Sequence, residues 1–514
     1  MASGCEWNPI ASYRLVGTEA MALSVAMPAE PPPRRTTRSI FGPGGHIWIP
    51  EVREYFAAYV DLFEVGVRSS DTHTNAQDYV NGLFLKGERK SMEPIARRAP
   101  ASGPDRIQNF ITYSPWEWER VQERTVELMT SPFADPWGLV AIDDTAFPKQ
   151  GDDSVGVASQ WCGTRGKTAN CQVGVSAQYI RPGSLFSPDL ESFPIGMRLY
   201  LPKERAEDAA HREKCGVPPE MVFEEKWRIG LSFVERVRRL HVPHRAVVAD
   251  ADYGRVGKFR RQLREWEEPY VMGVQPENCM VLPLGEGWRG QQGQVLTPRS
   301  CAEIASKVPP SQWKKIFWST GAAGPMYVEA VHVRAVVCED GEPTDEEVWV
   351  VFEKRSNETK AYLAWGFDAL TVQGHIRLIR GRWPIEQGYL QMKEELGLDH
   401  FEGRSWLGWH HHVSLVMAAY AFAMLERQKH AFLVMKGTAK PQRLFPTIPQ
   451  VRIWLQVAVA LRIMRMASEL PTVEERQQML AYLAQMFDLP ITVGDEGLQG
   501  LTLADLPRWL GIKS

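Results

Sequence analysis

The spacing of hydrophobic residues divides the chain into three regions. Within residues 46–137 apolar positions recur at helical spacing, for example at 51–63, and Ser114-Pro115-Trp116-Glu117 has the composition of a capped helix start. From residue 138 onward, short apolar runs are bounded by turn residues, which is typical of strands. After residue 405 apolar helical segments predominate. The pattern predicts an α/β centre between two helical regions.

Two of the predicted strands lead directly into aspartates. Residues 138–142 form an apolar run before Asp143, and residues 245–249 form a second run before Asp250. Apolar runs of this length predict buried strands, each with a carboxylate at its end. Further strands are predicted at residues 173–180, 193–201 and 270–274. An antiparallel meander is therefore expected to begin at Asp143.

A third acidic residue lies at the start of a predicted helix. Pro384 suits a first helical turn because the N–H that it lacks would have no partner there. Glu386 then lies where the helix dipole favours an ionised carboxylate. Arg382 precedes the helix, and Lys393 follows two turns along the same face. The alternatives are a salt-bridged surface helix and a site for a metal ion and a phosphate.

The region between the second aspartate and this helix has its own pattern. Residues 275–356 are dense in turn residues and contain strand patterns at 327–337 and 347–352. This pattern predicts a strand-rich insertion. Residues 359–369 are predicted to form a helix that leads from the insertion back into the main domain.

The three carboxylates Asp143, Asp250 and Glu386 form a candidate active site. Strand ends and helix starts are where α/β sheets gather functional side chains. Three carboxylates in one place repel one another unless cations lie between them, and oxygen ligands select Mg2+ or Mn2+. A pair of such ions can activate water or a 3′-hydroxyl and stabilise the leaving oxygen in phosphoryl transfer. Separations of 107 and 136 residues along the chain exclude a local calcium loop.

Four stretches of the sequence carry a resemblance to a known family. They are AIDDTAFPKQG, SVGVASQWCGTRGKTANCQVGVS, VVADADYG and RWPIEQGYLQMKEELGLDHFEGRSWLGWHHH. Over about residues 80–430 the chain resembles the DDE-type transposases of bacterial insertion sequences. It is similar to the branch whose last motif is Tyr-x2-Arg-x3-Glu-x6-Lys, because Arg382, Glu386 and Lys393 have that spacing. Ile379 stands at the tyrosine position, which leaves the role of that hydroxyl without a counterpart.

The resemblance implies a fold and a set of metal ligands. The implied fold class is α/β, an RNase H-like catalytic domain in which helices flank a mixed sheet, with a strand-rich insertion and helical N- and C-terminal regions. Asp143 is implied as the first metal ligand, with Asp144 as its alternative because the family pattern is Asp-x-Thr. Asp250 is implied as the second, ahead of the nearby Asp252, and Glu386 as the third. The implied cofactor is two Mg2+ ions, for which Mn2+ can substitute.

The resemblance also implies contacts with DNA. Arg382 and Lys393 would hold phosphates near the cut, and Trp383 would either stack on an unpaired base or belong to the core. Basic residues after the first aspartate would contact phosphates or lie in a solvated loop. The residues expected to bind DNA are Arg382, Trp383, Lys393, Lys149, Arg165, Lys167 and Arg404.

Two further clusters invite a metal interpretation that the spacing disfavours. Consecutive helical positions point about 100° apart, so His410, His411 and His412 cannot all reach one ion. Packing or contact with the DNA backbone is expected for them instead. Cys162 and Cys171 have no second pair near them, so no zinc site is expected there.

The composition is that of a globular protein with several structural units. The chain has 514 residues, of which 44% are hydrophobic and 24% are charged, and this length exceeds one ordinary core. A formal net charge of -3 does not itself indicate a nucleic-acid binder, so DNA contact would depend on local positive patches. Seven cysteines, an odd number, fit reduced thiols in a cytosol. The apolar run at 413–425 is too short to cross a bilayer.

These observations predict a domain order. The expected segments are a disordered tail (1–45), a helical DNA-binding domain (46–137), the first part of the catalytic domain (138–274), the strand-rich insertion (275–356), the second part of the catalytic domain (357–430) and a helical C-terminal domain (431–514).

The function that the resemblance implies is DNA transposition. The protein would bind terminal inverted repeats, cut and transfer strands, and act as a homodimer on paired ends in the bacterial cytoplasm, associated with the nucleoid and with no membrane. The alternatives are a catalytically silent DNA-binding regulator derived from a transposase, and a structure-specific nuclease. Paired carboxylates also occur in glycosidases, but Arg382 and Lys393 suit phosphate better than sugar.

Overall fold

The computed structural model describes most of the chain between residues 70 and 498. The described ranges are 70–85, 87, 89–98, 103–181, 191–285, 297–321, 324–355, 358–434, 446–469, 471–487, 493–494 and 497–498. The predicted tail (1–45) and the predicted helix at 51–63 lie outside these ranges. Within them, no helix is long and apolar enough to span a membrane.

Helices flank a large sheet. The helices are α1 (Ser70–Phe84), α2 (Met92–Arg98), α3 (Gly103–Thr112), α4 (Trp118–Phe133), α5 (Lys203–Glu207), α6 (Ala209–Cys215), α7 (Lys226–Arg239), α8 (Ala251–Gly254), α9 (Gly257–Glu265), α10 (Cys301–Lys307), α11 (Val372–Arg380), α12 (Pro384–Leu396), α13 (Trp406–Val434), α14 (Ile448–Glu469) and α15 (Val473–Phe487). The strands are β1 (Leu139–Pro148), β2 (Ala158–Cys162), β3 (Lys167–Ile180), β4 (Ser192–Leu199), β5 (Ala246–Ala249), β6 (Tyr270–Val274), β7 (Met280–Pro283), β8 (Arg299–Ser300), β9 (Lys314–Gly321), β10 (Gly324–Glu339), β11 (Glu342–Lys354), β12 (Thr359–Trp365), β13 (Val493–Gly494) and β14 (Gly497–Leu498).

Five strands form the centre of the sheet in the order β4-β3-β1-β5-β6. The strand β3 is antiparallel to both β1 and β4, whereas β5 and β6 are parallel to β1 and to each other. Helix α7 packs near Ile142 through Gly230, and α12 packs near Gln178 through Gly388. Because side chains alternate along a strand, these two helices cover opposite faces of the sheet. The mixed sheet flanked by helices that the RNase H-like resemblance implied is confirmed.

The insertion extends this same sheet. The strand β12 pairs with β6 in antiparallel fashion, and β11, β10 and β7 follow outward from it. The predicted helix at 359–369 is wrong, because residues Thr359–Trp365 form β12. Alanine and leucine favour helices in isolation, but here both edges of the segment hydrogen-bond to neighbouring strands, and Ala361 and Leu363 are buried on one face of the sheet. Tertiary pairing therefore overrides the local preference.

The predicted helices before residue 137 and after residue 405 are confirmed for the described residues, with one shift. Helix α4 begins at Trp118 rather than near Ser114, and its N-cap Glu117 makes no side-chain capping bond. Trp116 is instead buried, where its indole N–H donates to the carbonyl oxygen of Phe110 at 3.1 Å. Its ring stacks on His411 with centroids 3.6 Å apart. Packing of this tryptophan therefore displaces the helix start.

The three consecutive histidines of α13 are buried and each serves a different neighbour. A ring nitrogen of His410 accepts the N–H of Leu199 in β4 at 3.2 Å. His411 has ring nitrogens 2.8 Å from the carbonyl oxygen of Ile111 and 3.0 Å from that of Trp116. His412 contacts the Tyr79 hydroxyl at 2.7 Å and the Gly397 carbonyl oxygen at 2.9 Å. The expectation of packing is confirmed, and these contacts join α13 to the sheet, to the N-terminal helices and to the end of α12.

We expect these histidines to make the fold sensitive to acid. Burial lowers the pKa of His410 to about 3 and those of His411 and His412 to about 4, from an ordinary value of 6.5. The unfolded chain therefore binds more protons than the folded chain between pH 4 and 6.5. The free energy of unfolding is therefore highest, as far as these histidines affect it, above pH 6.5 and falls as the pH drops through that window. One pKa unit corresponds to about 1.4 kcal/mol, so each histidine should cost roughly 3 kcal/mol below pH 4. Urea unfolding at pH 7.5, 6 and 5 measures the loss.

The contribution of one histidine is isolated by replacing it. His412→Gln keeps a polar side chain and removes one titrating group, so its stability should fall less steeply with pH than that of the wild type. His241→Asn is the matched control because His241 is exposed. An unfolding free energy that stays constant from pH 7.5 to 5 would contradict the prediction.

Candidate active site

Asp143 and Asp250 lie side by side on adjacent strands. The parallel pairing of β1 with β5 runs from Leu139 opposite Ala246 to Ile142 opposite Ala249, and the two aspartates are the next residues. The prediction that Asp143 ends its strand is wrong, because antiparallel pairing with β3 continues β1 to Pro148. Asp250 does follow the end of β5, where its carboxylate accepts the N–H of Asp252 at 3.0 Å and caps α8.

The consecutive residues Asp143 and Asp144 point to opposite faces of the sheet, because side chains alternate along a strand. Asp144 faces α7, and its carboxylate lies 2.6 Å from the ammonium group of Lys226. Asp143 faces α12, and its carboxylate accepts an N–H from Arg382 and the backbone N–H of Asp144, the latter at 2.8 Å. The geometry therefore groups Asp143, and not Asp144, with the residues of the last motif.

Arg382 bridges two of the three predicted ligands. One guanidinium nitrogen contacts the Asp143 carboxylate, and another lies 2.6 Å from the Glu386 carboxylate. Glu386 lies in the first turn of α12, as Pro384 predicted. Its side chain is 49% exposed, compared with 13% for Asp143. The site thus has a buried end at the sheet and an open end at the helix.

The charges of the site are incompletely balanced. Burial raises the pKa of Asp143 to about 7, Arg382 opposes this rise, and repulsion from Asp250 adds to it. Burial also raises the pKa of Asp250, again against the effect of Arg382. Each carboxylate would hold its proton less tightly if more positive charge lay nearby. Additional positive charge, such as a bound cation, would therefore stabilise the ionised form of both carboxylates.

The donor set fits a hard divalent ion in chemistry but not in its present arrangement. Carboxylate oxygens are the ligands that Mg2+ and Mn2+ prefer. Within the described ranges, however, no group of three or more His, Cys, Asp or Glu side chains is arranged to hold a metal ion. Arg382 lies between Asp143 and Glu386. An ion shared by these two carboxylates therefore requires that the guanidinium group move away.

A cavity of about 870 Å3 opens beside the acids. Asp250, Arg382 and Glu386 line one side of it, and Trp383 lies at its edge with 49% of its surface exposed. The alternative that Trp383 belongs to the core is therefore wrong. Residues of the insertion, β12 and α11 add further cations to the cavity lining, which sequence reasoning missed: Arg355, Lys360 and Arg380.

Two of these missed cations share a buried partner. Glu353 of β11 is completely buried, and its carboxylate contacts Arg380 and lies 3.2 Å from Arg355. Arg380 also lies over the ring of Trp318, 4.6 Å from its centroid. Glu353 lies two residues before Arg355 but 27 residues before Arg380, and the contact between β11 and α11 that brings Arg380 to it is not visible in local spacing. Lys226 escaped notice for the same reason, being 82 residues from Asp144.

Two predicted phosphate-binding lysines are engaged within the protein. The ammonium group of Lys393 donates to the hydroxyl of Thr145 at 2.8 Å and to the carbonyl oxygen of Ala146 at 3.0 Å. The ammonium group of Lys149 donates to the carbonyl oxygen of Phe401 at 2.6 Å. Burial lowers the pKa of both lysines. Lys393 thereby fastens α12 to β1, the strand that carries Asp143.

The remaining predicted DNA contacts lie away from the acids. Arg165 and Lys167 are exposed at the turn between β2 and β3. Asp143 pairs with Ser176, and Lys167 lies nine residues further along β3, which is about 30 Å at roughly 3.3 Å per residue. Arg404 is also exposed and lies 3.1 Å from Asp153. The structure therefore does not bring these three cations to the carboxylates.

Gly388 sets the distance between α12 and the sheet. A Cβ atom at this position would lie 2.4 Å from the side-chain oxygen of Gln178. Gln178 is buried and donates to the carbonyl oxygen of Ile385 at 3.4 Å, so it cannot withdraw freely. We expect Gly388→Ala to destabilise the fold by about 1–2 kcal/mol, because overpacking outweighs the gain of roughly 1 kcal/mol in helix propensity. Chemical denaturation measures the difference.

A second variant tests whether this contact is the cause. Gln178→Ala removes the opposing side chain, so Gly388→Ala should destabilise that background less than it destabilises the wild type. A Gly388→Ala single variant that is more stable than the wild type would show that the space between α12 and Gln178 accommodates a methyl group, against the prediction.

Comparison with known proteins gives two matches. A family profile described as DDE superfamily endonuclease matches residues 62–325, just over half of the chain, including Asp143 and Asp250 but ending before Glu386. The chain is also similar to a protein of Microchaete diplosiphon described as a probable transposase for insertion sequence element IS701, with 26% identity over 235 residues. That match covers 45% of this chain and 56% of the relative.

Proposed function

Because the chain belongs to the DDE superfamily endonucleases, we propose that it is a DNA transposase that binds terminal inverted repeats and performs metal-dependent strand cleavage and strand transfer. The observation that carries the proposal is the meeting of Asp143 and Asp250 on adjacent strands with Glu386 on the facing helix. The transposase relative supports the same class of activity. Each acid comes from a separate element, so the site depends on the whole fold.

In this proposal Asp143, Asp250 and Glu386 hold two Mg2+ ions, for which Mn2+ substitutes. When bound, the ions supply positive charge that activates the attacking oxygen and stabilises the leaving oxygen of phosphoryl transfer. Burial raises the pKa values of Asp143 and Asp250 against the effect of Arg382, and a bound cation would favour the ionised form of both carboxylates. The protein scaffold contributes the fixed positions of the three side chains.

The neighbouring residues have proposed roles in holding DNA. Arg382, once released from Asp143, can present its guanidinium group to a phosphate at the cut as a bidentate donor. Trp383, exposed at the cavity edge, can stack on an unpaired base. Lys393 acts as a positioning residue through Thr145, in addition to the phosphate contact predicted from sequence. Exposed Arg165 and Lys167 would contact the duplex farther from the cut.

The proposed partner is double-stranded DNA, at the element's ends and at its target, bound by a homodimer on paired ends. Cations on the cavity wall favour a phosphate backbone beside the acids, although the whole chain has a net charge of -3. The cavity lining holds four basic and four acidic residues, so DNA binding there would depend on where each charge lies and on salt. The proposed location is the bacterial cytoplasm, in association with the nucleoid.

One observation favours a second candidate, a DNA-binding regulator without catalysis. Arg382 already neutralises part of the acidic cluster, and a guanidinium group that stayed there would keep metal ions out. This regulator would retain the DNA contacts and lose the chemistry.

A cleavage assay distinguishes the transposase, the regulator and a structure-specific nuclease. The substrate is a labelled duplex that carries the element's own terminal repeats, incubated with Mg2+, Mn2+, Ca2+ or EDTA. A transposase should cut at the element end with Mg2+ or Mn2+ and should join the freed 3′ end to a second duplex. Binding to the repeats without cutting under any metal supports the regulator, and cutting of branched DNA regardless of sequence supports a structure-specific nuclease.

A further inference from the structure

Two cysteines of the insertion lie opposite each other across a pair of strands. Met280 of β7 pairs with Ser300 of β8 in antiparallel fashion, so Cys279 and Cys301 are the next residues outward. The N–H of Cys301 donates to the carbonyl oxygen of Cys279 at 2.9 Å. Hydrogen-bonded antiparallel neighbours have Cα atoms about 5.5 Å apart, which is within the range that a disulfide spans. Both thiols are free in this structure.

The two thiols differ in access and in acidity. Cys301 is completely buried, whereas Cys279 is partly exposed. A hydrogen bond from the Cys301 thiol lowers the pKa of Cys279, and Arg260 lowers it further against the effect of burial. The same interaction raises the pKa of Cys301. Cys279, which is partly exposed and has the lowered pKa, is therefore suited to attack an oxidant, and the position of Cys301 opposite it allows Cys301 to react with the modified Cys279.

We propose that Cys279 and Cys301 form a redox-responsive dithiol that a hydroperoxide closes to a disulfide. The Cys279 thiolate attacks the peroxide, the O–O bond breaks, and the sulfur gains a hydroxyl group while the other oxygen leaves as water or alcohol after taking up a proton. The sulfur of the Cys301 thiol then attacks the sulfur of Cys279, the S–S bond forms as the S–O bond breaks, and the leaving hydroxide takes up the proton of the Cys301 thiol to give water. The thiols lose two electrons and the peroxide gains them.

The disulfide would act on a turn that lines the cavity. Residues Gln275, Pro276 and Glu277 line the cavity beside Asp250 and lead directly into Cys279. The N–H of Cys279 donates to the Gln275 carbonyl oxygen at 3.0 Å, and the N–H of Ala302 donates to the Pro276 carbonyl oxygen at 2.9 Å. A covalent bond between Cys279 and Cys301 would hold this turn against α10. Oxidation would thereby stiffen one wall of the cavity.

A third cysteine, Cys338, is the alternative disulfide partner for Cys279, and its replacement serves as the control. Burial raises the pKa of Cys338 of β10, and Cys279 is close enough to add to that rise. Trypsin separates the three thiols, because Cys279 lies in the peptide 265–289, Cys301 in 300–307 and Cys338 in 335–354. Each of these peptides contains a single cysteine.

The test is disulfide mapping on the full-length protein. The reduced protein is treated with hydrogen peroxide, remaining thiols are blocked with N-ethylmaleimide, and tryptic peptides are identified by mass spectrometry without reduction. We expect peptide 265–289 linked to 300–307, in the wild type and in Cys338→Ala, and reversal by dithiothreitol. In Cys301→Ala the link should be lost, and dimedone should instead label Cys279. A link from Cys279 to Cys338, or unlinked peptides with both thiols blocked after excess peroxide, would overturn the proposal.

Hydrogen exchange tests the effect on the turn. Amide exchange in residues 275–279 should slow by roughly tenfold in the oxidised wild type and should not change in peroxide-treated Cys301→Ala. Equal exchange in the oxidised and reduced wild type would overturn the link to the cavity wall. Neither measurement depends on the proposed transposase activity.

Discussion

Replacing Glu386 by glutamine should reduce DNA cleavage by at least about a thousandfold, equivalent to about 4 kcal/mol of transition-state stabilisation. The amide preserves the shape of the side chain but removes the charge that would hold a divalent ion. Asp143→Asn and Asp250→Asn should have effects of the same size, because all three carboxylates are proposed to share the ions. Binding to terminal repeats should change by less than about threefold, since phosphate contacts supply most of that affinity. Single-turnover cleavage and a gel-shift assay measure the two effects.

Neighbouring acids provide matched controls for this experiment. Asp144→Asn removes a carboxylate that pairs with Lys226 on the opposite face of the sheet, and Asp252→Asn removes an exposed one beside Asp250. Both should retain cleavage within about tenfold of the wild type. If Asp144→Asn abolished cleavage and Asp143→Asn did not, the assignment of the first ligand would be reversed.

Replacing Arg382 by methionine should make the stability of the protein depend on divalent metal. Methionine fills similar space without charge, so Asp143 and Glu386 lose their internal countercharge. We expect a loss of about 2 kcal/mol at pH 8, at the lower end for broken ion pairs because Arg382 is 25% exposed. Mg2+ should restore much of that loss in the variant and stabilise the wild type less, because in the wild type the ion must first displace the guanidinium group.

The effect should grow with pH. The pKa of Asp143 is raised to about 7 even with Arg382 present, and it should rise further without it. A carboxyl group with a raised pKa in the folded state destabilises the fold as the pH increases from its unfolded value, about 4, through its folded value. Thermal unfolding at pH 5 and pH 8, with and without Mg2+, measures this dependence. Arg404→Met is the control, because Arg404 pairs with the exposed Asp153. A variant with wild-type stability and no response to Mg2+ would refute the role of Arg382.

The sequence was most informative where a local pattern coincides with a structural boundary. Pro384 predicted the start of α12, and the apolar run before Asp250 predicted β5 and the aspartate that follows it. Both depend on residues that are adjacent in the chain. The spacing of Arg382 and Glu386 similarly predicted two residues that the structure brings into contact.

Sequence reasoning failed where distant strands decide the structure. Residues 359–369 have helix-forming composition, but β12 forms because β6 and β11 offer hydrogen bonds on both sides. Asp143 was expected at a strand end, but β3 extends the strand beyond it. Lys393 was expected to contact DNA phosphate, and its additional contact with Thr145, 248 residues away, was not foreseen. None of these partners can be found from local periodicity.

The joining of β12 to β6 also constrains how the chain folds during synthesis. The strand β6 (Tyr270–Val274) is buried throughout, and one of its edges is covered only when β12 (Thr359–Trp365) has been made. Until then a nascent chain would present an apolar strand edge that can pair with other chains. Chain termination between these two strands should therefore yield aggregation-prone fragments, and soluble folding should require synthesis past residue 365.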